Sequence, residues 1–324
     1  MASAAKKFFN LQMKKLLLAV HKAGLRAGVV LIPNHYYADV PDLHALRRTT
    51  DLWARKSALI GIDVDLDGQV RRLHEVCQRF EPEFRDNRVY REACAADGGP
   101  GFGYIEAQAL HAVVRHFKPK TILEVGSGVS TRCSLFASDM NAREGAAESE
   151  IICIEPHPRP WLRQASIKLI ERPVQQVGLE VFEQLEAGSL LFIDSTHTVK
   201  TGSDVNYLVL EVLPRLKPGV IVHFHDIYLP YDYPREALDS FFQPQETALL
   251  HAFLIGNRNV RLLFSLSQLH YARREELAKV FPEYRPQRER DGIRDRSYPV
   301  FGNIEDHFPA STYLEIVGEH GVVN

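Results

Sequence analysis

Short runs rich in β-branched residues recur along the chain from residue 121 onward. They span residues 121–125, 151–155, 168–174, 190–194 and 219–226, and helical segments separate them. Because strands that are buried on both faces and spaced by helices belong to parallel sheets, this pattern predicts a series of βα units. Two later runs, 260–266 and 312–317, are further strand candidates.

The first hundred residues show a different pattern. They predict helices and irregular segments, interrupted by prolines within 31–42 and by glycines within 96–104. We therefore expect a helical cap or oligomerisation region over residues 1–100, followed by an α/β domain over residues 101–324. This division rests only on the change of pattern.

Residues 1–38 contain Lys and Arg but no Asp or Glu, and they begin with an amphipathic helix. Phe9, Met13, Leu16 and Val20 fall on one face of that helix. We expect this face to dock on its own protein or on a second subunit, which predicts a homo-oligomer through residues 1–40. A membrane surface is the alternative partner.

Composition narrows the choice of partners. Lys and Arg number 39 against 41 Asp and Glu, a formal charge of -2, so no global field favours nucleic acid. No apolar stretch reaches transmembrane length. The four cysteines lack zinc-site spacing, and we expect reduced thiols and a cytoplasmic protein.

A glycine turn follows the first strand candidate, in the segment TILEVGSGVSTRCS. Gly126 and Gly128 permit a tight turn and close approach of a ligand to the backbone, at the carboxyl end of a parallel strand. Thr131 stands where a dinucleotide fingerprint has its third glycine, which weakens an NAD interpretation. Glu124 suits a cationic ligand, and Glu155 ends the next strand, where a carboxylate can bind ribose hydroxyls. Both acids fit a cationic adenosine derivative.

The segments LEVGSG and IEPHP resemble the first and second motifs of the class I S-adenosylmethionine-dependent methyltransferases. Residues 190–234 closely resemble a bacterial subgroup that acts on small molecules such as sugars and natural products. The resemblance implies an α/β, Rossmann-like, seven-stranded and mostly parallel sheet with an antiparallel last strand, preceded by a mainly helical N-terminal region. Residues 101–324 would be the methyltransferase domain.

The resemblance also implies the residues that contact the cofactor. Gln175 or Gln176 would lie near the adenine, and Tyr104, with Glu106 beside it, would close over the cofactor. The remaining expected contacts, to the methionine and ribose portions, are Glu124, Gly126, Ser127, Gly128, Glu155 and Asp194.

Two acids and two histidines follow the fourth and fifth strand candidates: Asp194, His197, His225 and Asp226. In one interpretation, Asp194, His225 and Asp226 coordinate a divalent metal, as in metal-assisted O-methyltransferases of this class. His225 then replaces an oxygen donor that Mg²⁺ would prefer. In the other, His197 or His225 removes a proton from the acceptor and Asp226 orients the imidazole. His223 and His225 are two positions apart and therefore share one side of the fifth strand candidate. One of these two histidines is thus a candidate packing residue.

These residues favour O-methylation of a small hydroxylated acceptor, a sugar or natural product. The alternatives are an NAD-dependent dehydrogenase and a non-catalytic protein that binds S-adenosylmethionine. Tyr228, Tyr231 and Tyr233 suit either acceptor binding or a subunit interface.

Overall fold

The computed structural model describes residues 2–34, 38–97, 99, 101–240, 242–285, 289–294 and 308–318. Within these residues, seven strands form one sheet in the order β3-β2-β1-β4-β5-β9-β6. They are β1 (Thr121–Val125), β2 (Glu150–Ile154), β3 (Lys168–Ile170), β4 (Leu190–Ile193), β5 (Ile221–Phe224), β6 (Val260–Ser265) and β9 (Thr312–Ile316). A separate hairpin pairs β7 (Glu289–Arg290) with β8 (Ile293–Arg294).

Strands β1 to β5 are parallel, and β9 runs antiparallel between β5 and β6. The prediction of a mostly parallel seven-stranded sheet with an antiparallel last strand is confirmed. Consecutive residues of β1 face opposite sides of the sheet, as the pleat requires. Ile122 belongs to the apolar core on one face and Leu123 to the core on the other.

Helices cover the two faces of the sheet. They are α4 (Leu66–Cys77), α5 (Glu81–Phe84), α6 (Arg88–Asp97), α7 (Tyr104–Phe117), α8 (Val129–Arg143), α9 (Glu180–Glu183), α10 (Asp204–Tyr207), α11 (Glu246–Leu254), α12 (Leu266–Ala272) and α13 (Arg274–Val280). Ser203 caps α10 by accepting a hydrogen bond from the backbone N–H of Asn206.

The chain divides into two compact units, Met1–Trp53 with Leu238–Phe241, and Ala54–Ala237 with Phe242–Asn324. The larger unit therefore begins well before the expected boundary at residue 100. The reason is packing, because Leu73 and Val76 of α4 are completely buried in the same core as β1 and β4. A cap or oligomerisation role for the N-terminal region stays a prediction.

The smaller unit contains α1 (Ala2–Arg26), α2 (Leu43–Arg48) and α3 (Thr50–Trp53). Met13, Leu16 and Val20 on α1 are 40%, 58% and 44% exposed, so the expected docking of this face on its own chain is not observed among the described residues. Phe9 lies outside the residues whose side chains are described. A second subunit stays a prediction. No described helix is long and apolar enough to cross a membrane.

Candidate functional site

The turn after β1 brings the backbone close to the end of β4. Gly126 has a φ of +82°, and a Cβ there would collide with the carbonyl oxygen of Asp194. Gly128 follows, and its N–H donates to the hydroxyl of Thr131 over 3.0 Å at the start of α8. Within the described residues, Ser127 Oγ is buried and has no hydrogen-bond partner. The turn thus presents a polar atom that a ligand would satisfy.

A cleft of 330 Å³ opens beside this turn, at the carboxyl ends of β1, β2 and β4. Its volume falls within the ~300–1,000 Å³ common for small-molecule sites. Four of the predicted cofactor residues line it: Gly126, Glu155, Gln175 and Asp194. Glu155 Oε1 accepts the backbone N–H of His157 over 2.7 Å, a bond that holds the carboxylate on the rim of the cleft.

The other predicted cofactor residues do not line the cleft. Ser127 and Gly128 adjoin it through the turn, and Gln176 is exposed next to Gln175. The Tyr104 side chain is 1% exposed, and its hydroxyl donates to the carbonyl oxygen of Glu283. Their roles as cofactor contacts stay predictions.

Glu124 lies inside the sheet, not at the cleft surface. Its carboxylate accepts hydrogen bonds from the hydroxyl of Ser130 and, over 3.6 Å, from the thiol of Cys153. Burial raises its pKa to about 7, although these bonds oppose the shift. Glu124 therefore anchors the first turn of α8 to β1 through its hydrogen bond with Ser130.

The structure brings together the four predicted acids and histidines. Asp194 follows β4, while His225 and Asp226 follow the neighbouring strand β5. Asp194 Oδ1 lies 3.2 Å from His197 Nε2 and 3.3 Å from His225 Nδ1. Asp226 Oδ2 is 3.6 Å from His197 Nε2. We call these four residues the Asp/His cluster.

Two buried glutamates complete the surroundings of the imidazoles. Glu246, on the first turn of α11, places Oε2 2.7 Å from His197 Nδ1. Glu106, on the first turn of α7, places Oε2 3.2 Å from His225 Nε2. Both residues are 0% exposed. Sequence reasoning missed Glu246, whose one signal is an acid that begins a mostly apolar helix. It considered Glu106 only as a neighbour of Tyr104.

The charges of the Asp/His cluster determine its protonation. Burial opposes protonation of His197, but its bonds to Asp194 and Glu246 and the charge of Asp226 outweigh that effect and raise its pKa to about 10. Burial likewise opposes a charge on His225, and Glu106, Asp226 and Asp194 raise its pKa well above the ordinary value. In this arrangement both imidazoles are in their charged, doubly protonated form near neutral pH. Each one donates a hydrogen bond to Asp194.

Two residues of the Asp/His cluster have strained backbones, as do four other described non-glycine residues elsewhere in the chain. His197 and Asp226 have φ values of +56° and +54°, in the left-handed region that non-glycine residues rarely adopt. Such conformations cost on the order of 1–3 kcal/mol each and are typical of functional sites.

His223 is a packing residue. It is completely buried, its Nε2 lies 2.8 Å from the hydroxyl of Ser311, and its ring stacks on Tyr313 at 4.1 Å. Burial lowers its pKa well below the ordinary value, so the ring is neutral. Of the two strand histidines, His225 therefore belongs to the site.

The expected metal ligands do not converge on one nitrogen of His225. Asp194 faces Nδ1 of that ring, whereas Asp226 Oδ1 lies on its other side, 3.9 Å from Nε2. A different trio, Asp194, His197 and His225, offers one ligand atom each with all three within 4.8 Å of one another. Its two nitrogens suit Mg²⁺ poorly, because that ion prefers oxygen.

Comparison with known proteins identifies the class of the chain. A family model described as "Methyltransferase domain" matches residues 123–227, which include the glycine turn, Glu155 and the Asp/His cluster. An uncharacterized protein from Archaeoglobus fulgidus is 30% identical over 169 residues, 49% of this chain and 75% of that protein. Residues 123–227 are thus an S-adenosylmethionine-dependent methyltransferase domain. This assignment replaces the dehydrogenase alternative.

Solved structures of methyltransferases also resemble this one. A Podospora anserina methyltransferase with bound SAH is 14% identical, with 89% of this chain and 99% of that chain covered and a TM-score of 0.37. MycE, from the mycinamycin biosynthetic pathway and in complex with Mg and SAH, is 13% identical, with 71% and 55% covered and a TM-score of 0.35. With scores this low, neither structure adds to the assignment.

One of the three tyrosines after β5 borders the Asp/His cluster of this methyltransferase. Tyr228 donates its hydroxyl to Asp226 Oδ1 over 3.3 Å, and its ring stacks on Phe308 at 6.1 Å. Tyr231 and Tyr233 instead contact each other, with ring centroids 5.4 Å apart. Tyr228 is thus the one of these three tyrosines that contacts the Asp/His cluster, and acceptor binding or a subunit interface stays a prediction for all three.

A larger groove, of 890 Å³, runs along β6 at the sheet edge. Its lining contains none of the motif residues and none of the Asp/His cluster. The smaller cleft is therefore the candidate site.

Proposed function

We propose that this methyltransferase methylates a hydroxyl oxygen of a small acceptor, of the sugar or natural-product class. One observation carries the proposal: Asp194 lines the cofactor cleft and also bonds both imidazoles of the Asp/His cluster. A carboxylate shared in this way links the site of the methyl donor to groups that can accept the proton of an acceptor hydroxyl.

The cleft residues would hold S-adenosylmethionine by its polar parts. Glu155, which lines the cleft, would accept bonds from the ribose hydroxyls, and the Ser127 hydroxyl, which has no partner among the described residues, would bond the cofactor at the turn. Gln175, whose amide donates to the carbonyl oxygen of Gly202 over 3.3 Å, would face the adenine. The bound cofactor supplies an electrophilic methyl group on a sulfonium.

The Asp/His cluster would receive the acceptor's proton. In O-methylation a carbon–oxygen bond forms, the carbon–sulfur bond breaks, and the hydroxyl proton must leave as the methyl group arrives. His197 and His225 are the two alternative bases, and either must first release the proton that it holds in this arrangement. An amine acceptor is already a nucleophile and has less need of such a cluster, which favours oxygen.

Calorimetric titration with S-adenosylhomocysteine tests the cofactor half of the proposal. We expect binding on the micromolar scale, about -8 kcal/mol, weakened at least tenfold in Glu155→Gln. Glu150→Gln is the matched control, because Glu150 is exposed at the opposite end of the same strand. Equal binding by both variants would remove Glu155 from the cofactor site.

Turnover with a panel of sugars, phenols and amines tests the acceptor half. We expect S-adenosylhomocysteine release with a hydroxylated acceptor, reduced at least about 100-fold in Asp194→Asn and Asp226→Asn. Asp139→Asn, on the exposed side of α8, should keep full activity. Cofactor binding without turnover of any acceptor would favour the non-catalytic alternative.

A further inference from the structure

We propose that Asp194, His197 and His225 form a site for one divalent transition-metal ion that accepts nitrogen ligands, such as Zn²⁺, Co²⁺ or Fe²⁺, in preference to Mg²⁺. This ligand set differs from the one that the sequence suggested, because His197 takes the place of Asp226. The proposal deepens the proposed function and shares its site. With an ion bound, both imidazoles would be its ligands, so the ion would take the place of a free imidazole base.

One ligand atom from each of Asp194, His197 and His225 lies within 4.8 Å of the other two. His197 Nε2 and His225 Nδ1 lie 3.2 and 3.3 Å from the same carboxylate oxygen, Asp194 Oδ1. Two imidazole nitrogens and one carboxylate oxygen are a common donor set for first-row transition metals. A small rotation of the carboxylate would admit an ion among these atoms.

Each imidazole also has a buried carboxylate on its other nitrogen. Glu246 faces His197 Nδ1 and Glu106 faces His225 Nε2, at 2.7 and 3.2 Å. Metal-binding histidines usually donate their second ring N–H to such a partner, which sets the tautomer and directs the remaining lone pair at the metal. Here both histidines have the partner, and both lone pairs would point toward Asp194.

The local charge favours a cation. Four carboxylates, those of Asp194, Asp226, Glu106 and Glu246, surround two imidazoles. Carboxylates therefore outnumber the imidazoles. Asp226 Oδ2, 3.6 Å from His197 Nε2, borders the trio and could orient a further ligand.

Magnesium is a poor match for this donor set. Mg²⁺ is held through oxygen atoms in near-octahedral geometry, and the trio offers only one carboxylate. A transition-metal ion at this place would lower the pKa of an acceptor hydroxyl. Asp194 would then serve both the cofactor cleft and the metal site.

The test uses the full chain after removal of metal with EDTA. Co²⁺ is titrated in while its visible absorption is recorded, and Zn²⁺ and Mg²⁺ are added as competitors. We expect one Co²⁺ per chain, displacement by equimolar Zn²⁺, and no displacement by an excess of Mg²⁺ of about 100-fold.

Variants assign the ligands. His197→Ala and His225→Ala should each lose the visible bands, while Glu246→Gln, which keeps the side-chain shape, should weaken binding by about 10–100-fold. His157→Ala is the control for incidental binding, because His157 is an exposed histidine after β2. Circular dichroism confirms that each variant is folded. Absence of Co²⁺ binding, unchanged binding in folded histidine variants, or competition by Mg²⁺ equal to that by Zn²⁺ would overturn the proposal.

The same preparation separates this proposal from the proposed function. S-adenosylhomocysteine is titrated into the metal-free and the Zn²⁺-loaded protein. Cofactor binding to a protein that ignores Co²⁺ and Zn²⁺ contradicts the metal site alone, whereas metal binding without cofactor binding contradicts the proposed function and leaves the metal site standing.

Discussion

Gly126 combines a left-handed backbone with a close approach to Asp194. Gly126→Ala should reduce the free energy of unfolding by more than the ~1–2 kcal/mol of the conformation alone, and it should abolish S-adenosylhomocysteine binding, because the turn must move. Gly145 is the matched control, since it has a φ of +86° but open space where a Cβ would lie. Denaturant unfolding and calorimetry of both variants check this. Equal effects would show that the contact with Asp194 is unimportant.

Glu83 makes stability depend on pH. Burial alone would raise its pKa, but His111 and Arg115, whose Nε lies 2.7 Å from Glu83 Oε2, lower it from 4.5 to about 2. A carboxyl group with a lowered pKa contributes stability that is present above 4.5 and lost as the pH falls toward 2. Glu83→Gln should therefore lower the free energy of unfolding by on the order of 3 kcal/mol at pH 7. This loss should shrink between pH 4.5 and 2.

Urea unfolding at pH 7, 4.5 and 3 measures this loss. Glu81→Gln is the control, because Glu81 pairs with Arg85, whose side chain is 61% exposed, and its loss should cost about 0.5 kcal/mol or less at each pH. A pH-independent deficit in Glu83→Gln would contradict the account.

A substitution in helix α4 tests whether the sheet domain begins before residue 100. Leu73 is completely buried in the core that includes β1 and β4, so Leu73→Ala should cost about 2–5 kcal/mol of unfolding free energy. Leu210 is 55% exposed, and Leu210→Ala should change the free energy of unfolding by about 0.5 kcal/mol or less. Thermal unfolding of the two variants compares them. A small effect at Leu73 would favour a separate N-terminal region that extends to residue 100.

The exposed apolar face of α1 bears on the assembly of the whole protein. Leu16 is 58% exposed, and burial of such side chains drives association. We expect a homo-oligomer that Leu16→Asp converts to a smaller species, whereas Gln12→Asp, which adds the same charge at an exposed polar position, leaves it intact. Light scattering coupled to size-exclusion chromatography measures both masses. A monomeric unaltered chain would contradict the prediction, and binding to anionic vesicles would then favour the membrane alternative.

The sequence by itself determined the βα pattern, the glycine turn, the acid after β2 and the group at the ends of β4 and β5. These features are local or follow from neighbouring parallel strands, whose carboxyl ends meet at one edge of the sheet. The grouping of Asp194, His225 and Asp226 was predictable for that reason, although the orientation of the rings was not.

Only the tertiary structure placed the two buried glutamates. Glu246 is 49 residues from His197 and Glu106 is 119 residues from His225, and no periodicity relates positions so far apart. Their partners depend on where α7 and α11 begin against the end of the sheet. The same packing put α4 into the sheet domain and turned two histidine nitrogens toward Asp194, because side-chain orientation is set by contacts between elements that the linear pattern does not contain.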